Sequence, residues 1–352
     1  MDSPIAVLFI HGVEVRDPRY ADAAISRLRR EFAKHADDRE DADRALVIEP
    51  AYWIPAVADH EDRVLHRTFE ASTTPFYRCL DRLVAKVDAG SLLALGPLAV
   101  AGLLRIVPGM GNLHYPTLRW AMTYFFGDAV AYQVTDQGTK NASRRVYDGI
   151  HGRIDMALHS LAKRAGPEAP LCIISHSLGT VIASDHVWDA QHPHPQRPLR
   201  PKATPLEGCE TLAFMYTLGS PIALWTLRFE NSGEPIAFPG SGVGARYPEL
   251  RSAWINFYDR DDIVGYPIRG LSAKYQQAVT EDRAVTVGPR FVRNTPVVHP
   301  WYWNDSSVMG PIGAALADAR VSLRQRPASD GRVRPHGRER SPARVAGRTA
   351  SH

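Results

Sequence analysis

Ile173-Ile174-Ser175-His176-Ser177-Leu178-Gly179-Thr180 is the stretch on which the fold turns. With Leu171-Cys172 before it, the run starts as a short, continuously apolar segment suited to a strand buried on both faces. Residues 178–190 read as helix. Between the two lies a Ser-x-Ser-x-Gly string. A sharp strand-to-helix turn forces its middle residue, Ser177, into a strained backbone conformation above the sheet. The positions two away must be small, because the strand and helix backbones pass close together there. Ser175 and Gly179 meet that demand. The N–H of Leu178 then stands at a helix N-terminus, where the helix dipole favours a developing negative charge.

Outward from this turn, strands alternate with helices. Ile5–Ile10 and Ala45–Ile48 read as strands before it, and Leu212–Leu218 and Trp254–Tyr258 after it. Tyr20–His35, Arg144–Ala165 and Ile312–Leu323 carry apolar stripes at helical spacing, such as Ala21, Ile25, Leu28 and Phe32. Such alternation predicts an α/β fold with a mostly parallel central sheet flanked by helices. Residues 1–323 form this domain. The stretch 60–125 breaks the alternation and reads as a helical insertion resembling a cap or lid.

The chain resembles the α/β-hydrolases, and among them the lipase- and esterase-like members. The likeness covers most of residues 5–323 outside the insertion. The family's Gly-x-Ser-x-Gly elbow has Ser175 in place of its first glycine, and serine is still small. The resemblance implies a nucleophile, an acid and a histidine in that chain order. Ser177 is the implied nucleophile. Trp254–Tyr258 runs into Asp259-Arg260-Asp261-Asp262-Ile263-Val264 with Pro267 close by, which is similar to the family's acid loop. That favours Asp262 over Asp259 and Asp261. Val297-Val298-His299-Pro300-Trp301-Tyr302-Trp303 resembles the family's closing His-then-Tyr-Trp segment. Of the 14 histidines, His299 alone lies between Asp262 and the closing helix.

The family also draws an oxyanion donor from the loop after its first strand here. His11-Gly12-Val13 matches, so the N–H of Val13 joins that of Leu178 as the implied oxyanion hole. His11, Gly12, Ser175 and Gly179 support the site. His11 orients its loop, and His176 is a filler in the elbow. Leu218-Gly219-Ser220-Pro221 resembles a turn that lines the family's pocket, and it reads as architecture rather than chemistry.

Composition narrows the partners. The 352 residues carry 42 basic and 38 acidic side chains, a net +4. Residues 324–352 hold eight arginines against Asp330 and Glu339, so the tail carries +6 and the rest −2. The basic excess belongs to a Pro-, Gly- and Ser-rich tail that cannot bury enough surface to order itself. No specific nucleic-acid binding is expected of the body, and the tail supports salt-sensitive, sequence-independent contact at most. Three cysteines, Cys79, Cys172 and Cys209, are too few for a disulfide framework.

No cofactor or metal is expected. His192 and His194 lack a third ligand, and residues 59–62 read as a solvated loop. The 16 uncharged residues 89–104 are short for a membrane span and are interrupted by Gly96-Pro97. Their apolar part, Leu92–Leu104, suits an acyl chain or peripheral contact with a membrane surface, or else simple packing on the sheet. Without a signal-like N-terminus the expected location is cytoplasmic, with signal-less export also compatible.

The expected activity is hydrolysis of carboxylic esters, lipid or acyl, through an acyl-enzyme on Ser177. The same triad would serve an amidase, a thioesterase or an acyltransferase. A non-catalytic hydrolase-like binding protein is the remaining alternative. The acyl length, the alcohol group and the oligomeric state are not set by these residues.

Overall fold

Ile5–Ile10 is buried at every position, and its side chains divide by parity. Ile5, Val7 and Phe9 enter one apolar cluster, while Ala6, Leu8 and Ile10 enter another. A pleated strand covered on both faces must divide its side chains this way. This strand is β1.

In a computed structural model of the chain, the described residues are 4–13, 15, 17–36, 42–56, 132, 140–192, 203–228, 233–295 and 298–325. They contain β1, β2 (Leu46–Ala51), β3 (Leu171–His176), β4 (Leu212–Leu218), β5 (Ala253–Asp259) and β6 (Glu281–Val285). All five pairings are parallel, in the spatial order β2-β1-β3-β4-β5-β6. The longer helices are α1 (Asp22–His35), α2 (Lys140–Ala165), α3 (Leu178–Gln191), α4 (Ala273–Ala278) and α5 (Ser306–Arg324).

Helices cover both faces of the sheet. Leu28 and Phe32 of α1 and Ile312 and Leu316 of α5 share the cluster containing Phe9. Each is fully buried, which stabilises the fold by about 1.5–3 kcal/mol per side chain. The two helices approach so closely that a Cβ on Gly313 would lie 2.7 Å from the Phe32 backbone nitrogen. On the opposite face, Ile150, Ile154 and Leu158 of α2 and Val181 and Ile182 of α3 pack with Leu8 and Ile173.

The strand order positions the site. From β1 the chain crosses outward through α1 to β2. It then returns through α2 to β3 on the other side of β1. The direction of winding therefore reverses between β1 and β3. In open parallel sheets, ligands bind at the carboxyl ends of the strands flanking such a reversal. Ile10, the last residue of β1, pairs with Ser175 of β3 at that edge.

The α/β class, the parallel sheet and its flanking helices match the expectation. Several boundaries differ. α1 starts at Asp22 rather than Tyr20, α2 at Lys140 rather than Arg144, and α5 at Ser306 rather than Ile312. Asp305 accounts for the early start of α5, because its side chain accepts a hydrogen bond from the Ser307 N–H and caps the helix.

The sequence reading lacks β6. Glu-Asp-Arg-Ala-Val is a partly exposed edge strand with no apolar run to reveal it. The insertion 60–125, including Cys79, His194 and the tail beyond Gln325 lie outside the described residues. Among the described residues, no helix is long and apolar enough to cross a membrane. Cys172 and Cys209 are buried, free thiols.

Candidate active site

β3 ends at His176 and α3 begins at Leu178, so one residue makes the whole turn. Ser177 takes φ 54° and ψ −133°, a left-handed conformation that L-residues adopt at a cost of about 1–3 kcal/mol. Its N–H donates to Leu218 O at 3.0 Å, which ties the turn to the end of β4. A Cβ at Gly179 would lie 2.4 Å from His11 O and 2.6 Å from Ile10 O. Only glycine lets α3 start this close to the end of β1. Ser175 is buried within β3 and its hydroxyl donates to Tyr216 O at 3.3 Å. The serine that replaces glycine there satisfies its polar group on the neighbouring strand.

The loop after β1 lies directly against Ser177. A Cβ on Gly12 would come within 2.5 Å of Ser177 Cβ and 3.1 Å of its Oγ. His11 holds this loop. Its Nδ1 is 2.7 Å from Gly12 O, and its Nε2 accepts the Trp53 N–H at 3.2 Å. The Trp53 indole stacks on the ring with centroids 4.7 Å apart and donates Nε1–H to His11 O. Burial drives the imidazole down to about 3, so it stays neutral, with Nδ1–H donating to Gly12. Across a trans peptide, the Val13 N–H points opposite to the Gly12 carbonyl. Anchoring that carbonyl on His11 therefore turns the Val13 N–H away from the His11 ring. The Leu178 N–H, at the first position of α3, has no acceptor within its own helix.

The remaining two predicted residues come from the turn after β5 and the segment before α5. Asp262 follows β5 in a turn closed by its own N–H to Asp259 O at 3.2 Å. His299 opens a 3-10 turn spanning His299–Asn304. His299 Nε2 is 2.8 Å from Ser177 Oγ, and Nδ1 is 2.8 Å from Asp262 Oδ2. Ser177, His299 and Asp262 thus form one hydrogen-bonded line. Asp262 is buried, and its Oδ1 also accepts the Val264 N–H at 2.8 Å. Burial alone would raise this carboxyl, but hydrogen bonds from His299, Val264 and Tyr302 outweigh it and hold it at about 2.

Asp259 and Asp261 do other work. The Asp259 carboxylate accepts the N–H groups of Asp261 and Val287 and so braces the loops beyond β5 and β6. Asp261 is exposed.

Sequence reasoning read Gly219 as pocket-lining architecture and missed Gly265, the bond made by His176 and the one made by Tyr302. Gly219 (φ +52°) and Gly265 wall the acid–imidazole pair. A Cβ on Gly219 would lie 3.0 Å from Asp262 Oδ2 and 3.1 Å from His299 Nδ1, and one on Gly265 would lie 2.6 Å from the same Oδ2. His176 is more than a filler: its Nε2–H donates to His299 O at 2.9 Å, linking the elbow to the histidine turn. Burial, and then the neighbouring His299, hold its ring down at about 3. Tyr302 donates to Asp262 Oδ2 at 2.9 Å. The last could have been found by spacing, since residues i and i+3 eclipse on a 3-10 turn.

His192 is exposed and bonded to Trp188 O. Among the described residues, no group of three or more His, Cys, Asp or Glu side chains could hold a metal ion. No family model, curated protein or solved structure matches the chain to a significant degree.

Proposed function

We propose that this protein is a serine hydrolase of the α/β-hydrolase fold that cleaves carboxylic acyl esters. The observation that carries the reading is the line from Ser177 Oγ through His299 to Asp262, with 2.8 Å at each link, built on a left-handed serine beside Gly12. A hydrogen-bonded Ser–His–Asp line alone occurs in many proteins. Its location at the strand-order reversal, on a backbone strained at the serine, argues for chemistry.

The steps follow from this geometry. Ser177 Oγ attacks the acyl carbonyl while His299 Nε2 takes its proton. Nδ1–H stays on His299 and donates to Asp262, which remains an anion because its donors hold it well below neutral pH. The carbonyl oxygen becomes negative in the tetrahedral intermediate. The N–H groups of Leu178 and Val13 stabilise it, each worth about 10²–10³ in rate. His299 then protonates the departing alcohol, leaving an acyl group on Ser177. A water molecule, deprotonated by His299 in turn, releases the acid.

The absence of a side chain at position 12 lets the loop after β1 pack against Ser177 without a Cβ crowding Oγ. This chemistry uses no organic cofactor or metal.

Ser177→Ala is the test. Activity on a chain-length series of p-nitrophenyl esters should fall by about 10⁴-fold or more, with the fold intact by circular dichroism. A fluorophosphonate probe should label the wild type and not the variant. Unchanged hydrolysis in Ser177→Ala, or an unlabelled wild type, overturns the assignment.

A further inference from the structure

Asp262 Oδ2 carries two donors, not one. His299 Nδ1 reaches it at 2.8 Å and the Tyr302 hydroxyl at 2.9 Å. The tyrosine oxygen is in turn approached by the Asp259 N–H at 2.7 Å. A backbone N–H can only donate, so it occupies the phenol oxygen as an acceptor and directs the phenol proton to Asp262. Tyr302 is completely buried, and burial, with Asp262 next to it, raises its phenol far above the ordinary value. It therefore remains a protonated donor throughout the working range.

We propose that Tyr302 is a positioning residue that sets the pH range of the Ser177 reaction, by sharing Asp262 Oδ2 with His299 and so weakening the hold of the carboxylate on the imidazole. This rests on the serine hydrolase reading. The acid has one lone-pair face for the imidazole and another for the phenol, and each hydrogen bond withdraws negative charge from the same oxygen. Removing the phenol returns that charge to the His299 contact. The protonated, inactive imidazole then becomes easier to form. The acid limb of the pH–rate profile should rise accordingly.

Other groups face this pair. From the end of β3, His176 has its ring 4.8 Å from that of His299, and His11 interacts with His176 from the β1 side. Both stay neutral, at about 3, because they are buried. From the end of β5, Asp259 stands behind Tyr302 with its carboxylate committed to Val287 and Asp261. Ser177 completes the set. Neither buried histidine titrates between about pH 5 and 8, so the limb reports the Asp262–His299 contact.

The experiment compares kcat/KM against pH for the wild type, Tyr302→Phe, and protein carrying 3-fluorotyrosine at position 302, all as full chains. Tyr302→Phe should move the acid limb up by about half a pH unit to one unit, with kcat reduced about 10-fold and KM little changed. Fluorine makes the phenol a stronger donor, so 3-fluorotyrosine should move the limb down. Opposite shifts cannot come from packing alone.

The one-atom variant decides the matter if Tyr302→Phe does not fold. An unmoved limb in the fluorotyrosine protein, with hydrolysis still abolished by Ser177→Ala, overturns the role of Tyr302 and leaves the hydrolase reading standing. Activity that does not depend on Ser177 overturns both.

Discussion

Two largely buried chains of histidine, tyrosine and carboxylate run through this protein, and only one has the geometry on which the proposed reaction rests. The first is the Ser177–His299–Asp262–Tyr302 line at the carboxyl edge of the sheet. The second lies between α2 and α3. There the Tyr132 hydroxyl reaches Asp185 Oδ2 at 2.9 Å and His151 Nε2 at 3.0 Å, and His151 Nδ1 meets His186 Nδ1 at 3.1 Å. By composition the two are close. They differ at their ends. The first ends in a hydroxyl on a strained backbone, beside a glycine that keeps the space clear. The second joins two helix faces, with His151, Asp185 and His186 on regular helical backbone and the Tyr147 ring tilted against His151 at 4.0 Å. Histidine and carboxylate in hydrogen-bonded succession thus identify a polar core as readily as a reaction centre. Backbone strain and local clearance tell them apart.

The comparison can be broken most sharply at the acid. Asp262→Asn keeps the shape but forces the wrong tautomer on His299, so kcat should fall by about 10⁴-fold in protein that still folds by circular dichroism. A loss below about tenfold would place the two chains in the same class. In the second chain, His151→Phe keeps a ring in the stack but removes partners from Tyr132 and His186. It should cost about 1–3 kcal/mol in urea unfolding and leave kcat/KM within about twofold of wild type. A large drop in turnover of the folded variant would instead make the helix-face cluster part of the reaction.

The smallest effect separates the two by sign. Burial raises Asp185 from 3.8 to about 6, a rise partly offset by the Tyr132 hydrogen bond and Arg228, with Asp189 adding to it. The folded chain therefore binds this proton more tightly than the unfolded chain. Its contribution to stability declines as pH rises from about 4 to 6. Asp262 is lowered to about 2, so its contribution is present above about pH 4 and is lost as pH falls from there towards 2. Asp185→Asn should flatten the stability–pH curve between pH 4 and 6 and leave the acid side unchanged. The comparison fails if the decline persists in the variant.

The strands legible in the sequence were those carrying an apolar run, the partly buried edge strand β2 among them. β1, β3, β4 and β5 announce themselves as apolar runs because helices cover them above and below. β6 does not, because Glu281, Asp282 and Arg283 occupy an edge that faces solvent on one side. The candidate site residues were legible through the order that the family resemblance implies: a serine between small neighbours, an acid after a strand, a lone histidine before the last helix. The glycine walls were half legible, Gly219 as pocket-lining architecture and Gly265 not at all. Gly219 and Gly265 are separated in the chain and matter only because the loops after β4 and β5 press together, as the Tyr266 N–H to Ser220 O bond at 3.1 Å shows. His176 was set aside because elbow fillers are usually interchangeable, and its bond spans 123 positions to a backbone atom that no side-chain pattern marks.

That long separation has a consequence for how the protein comes into being. Ser177 and His299 are 122 positions apart. A ribosome therefore delivers the serine well before the histidine that would activate it. Until β5, the Asp262 turn and the His299 turn have all docked, the serine is an ordinary alcohol. On the proposed mechanism, a nascent or misassembled chain would be chemically silent towards esters. The proposed turnover would then begin only when the last of the architecture has closed, and hydrolysis of a chromogenic ester during refolding would time that final closure.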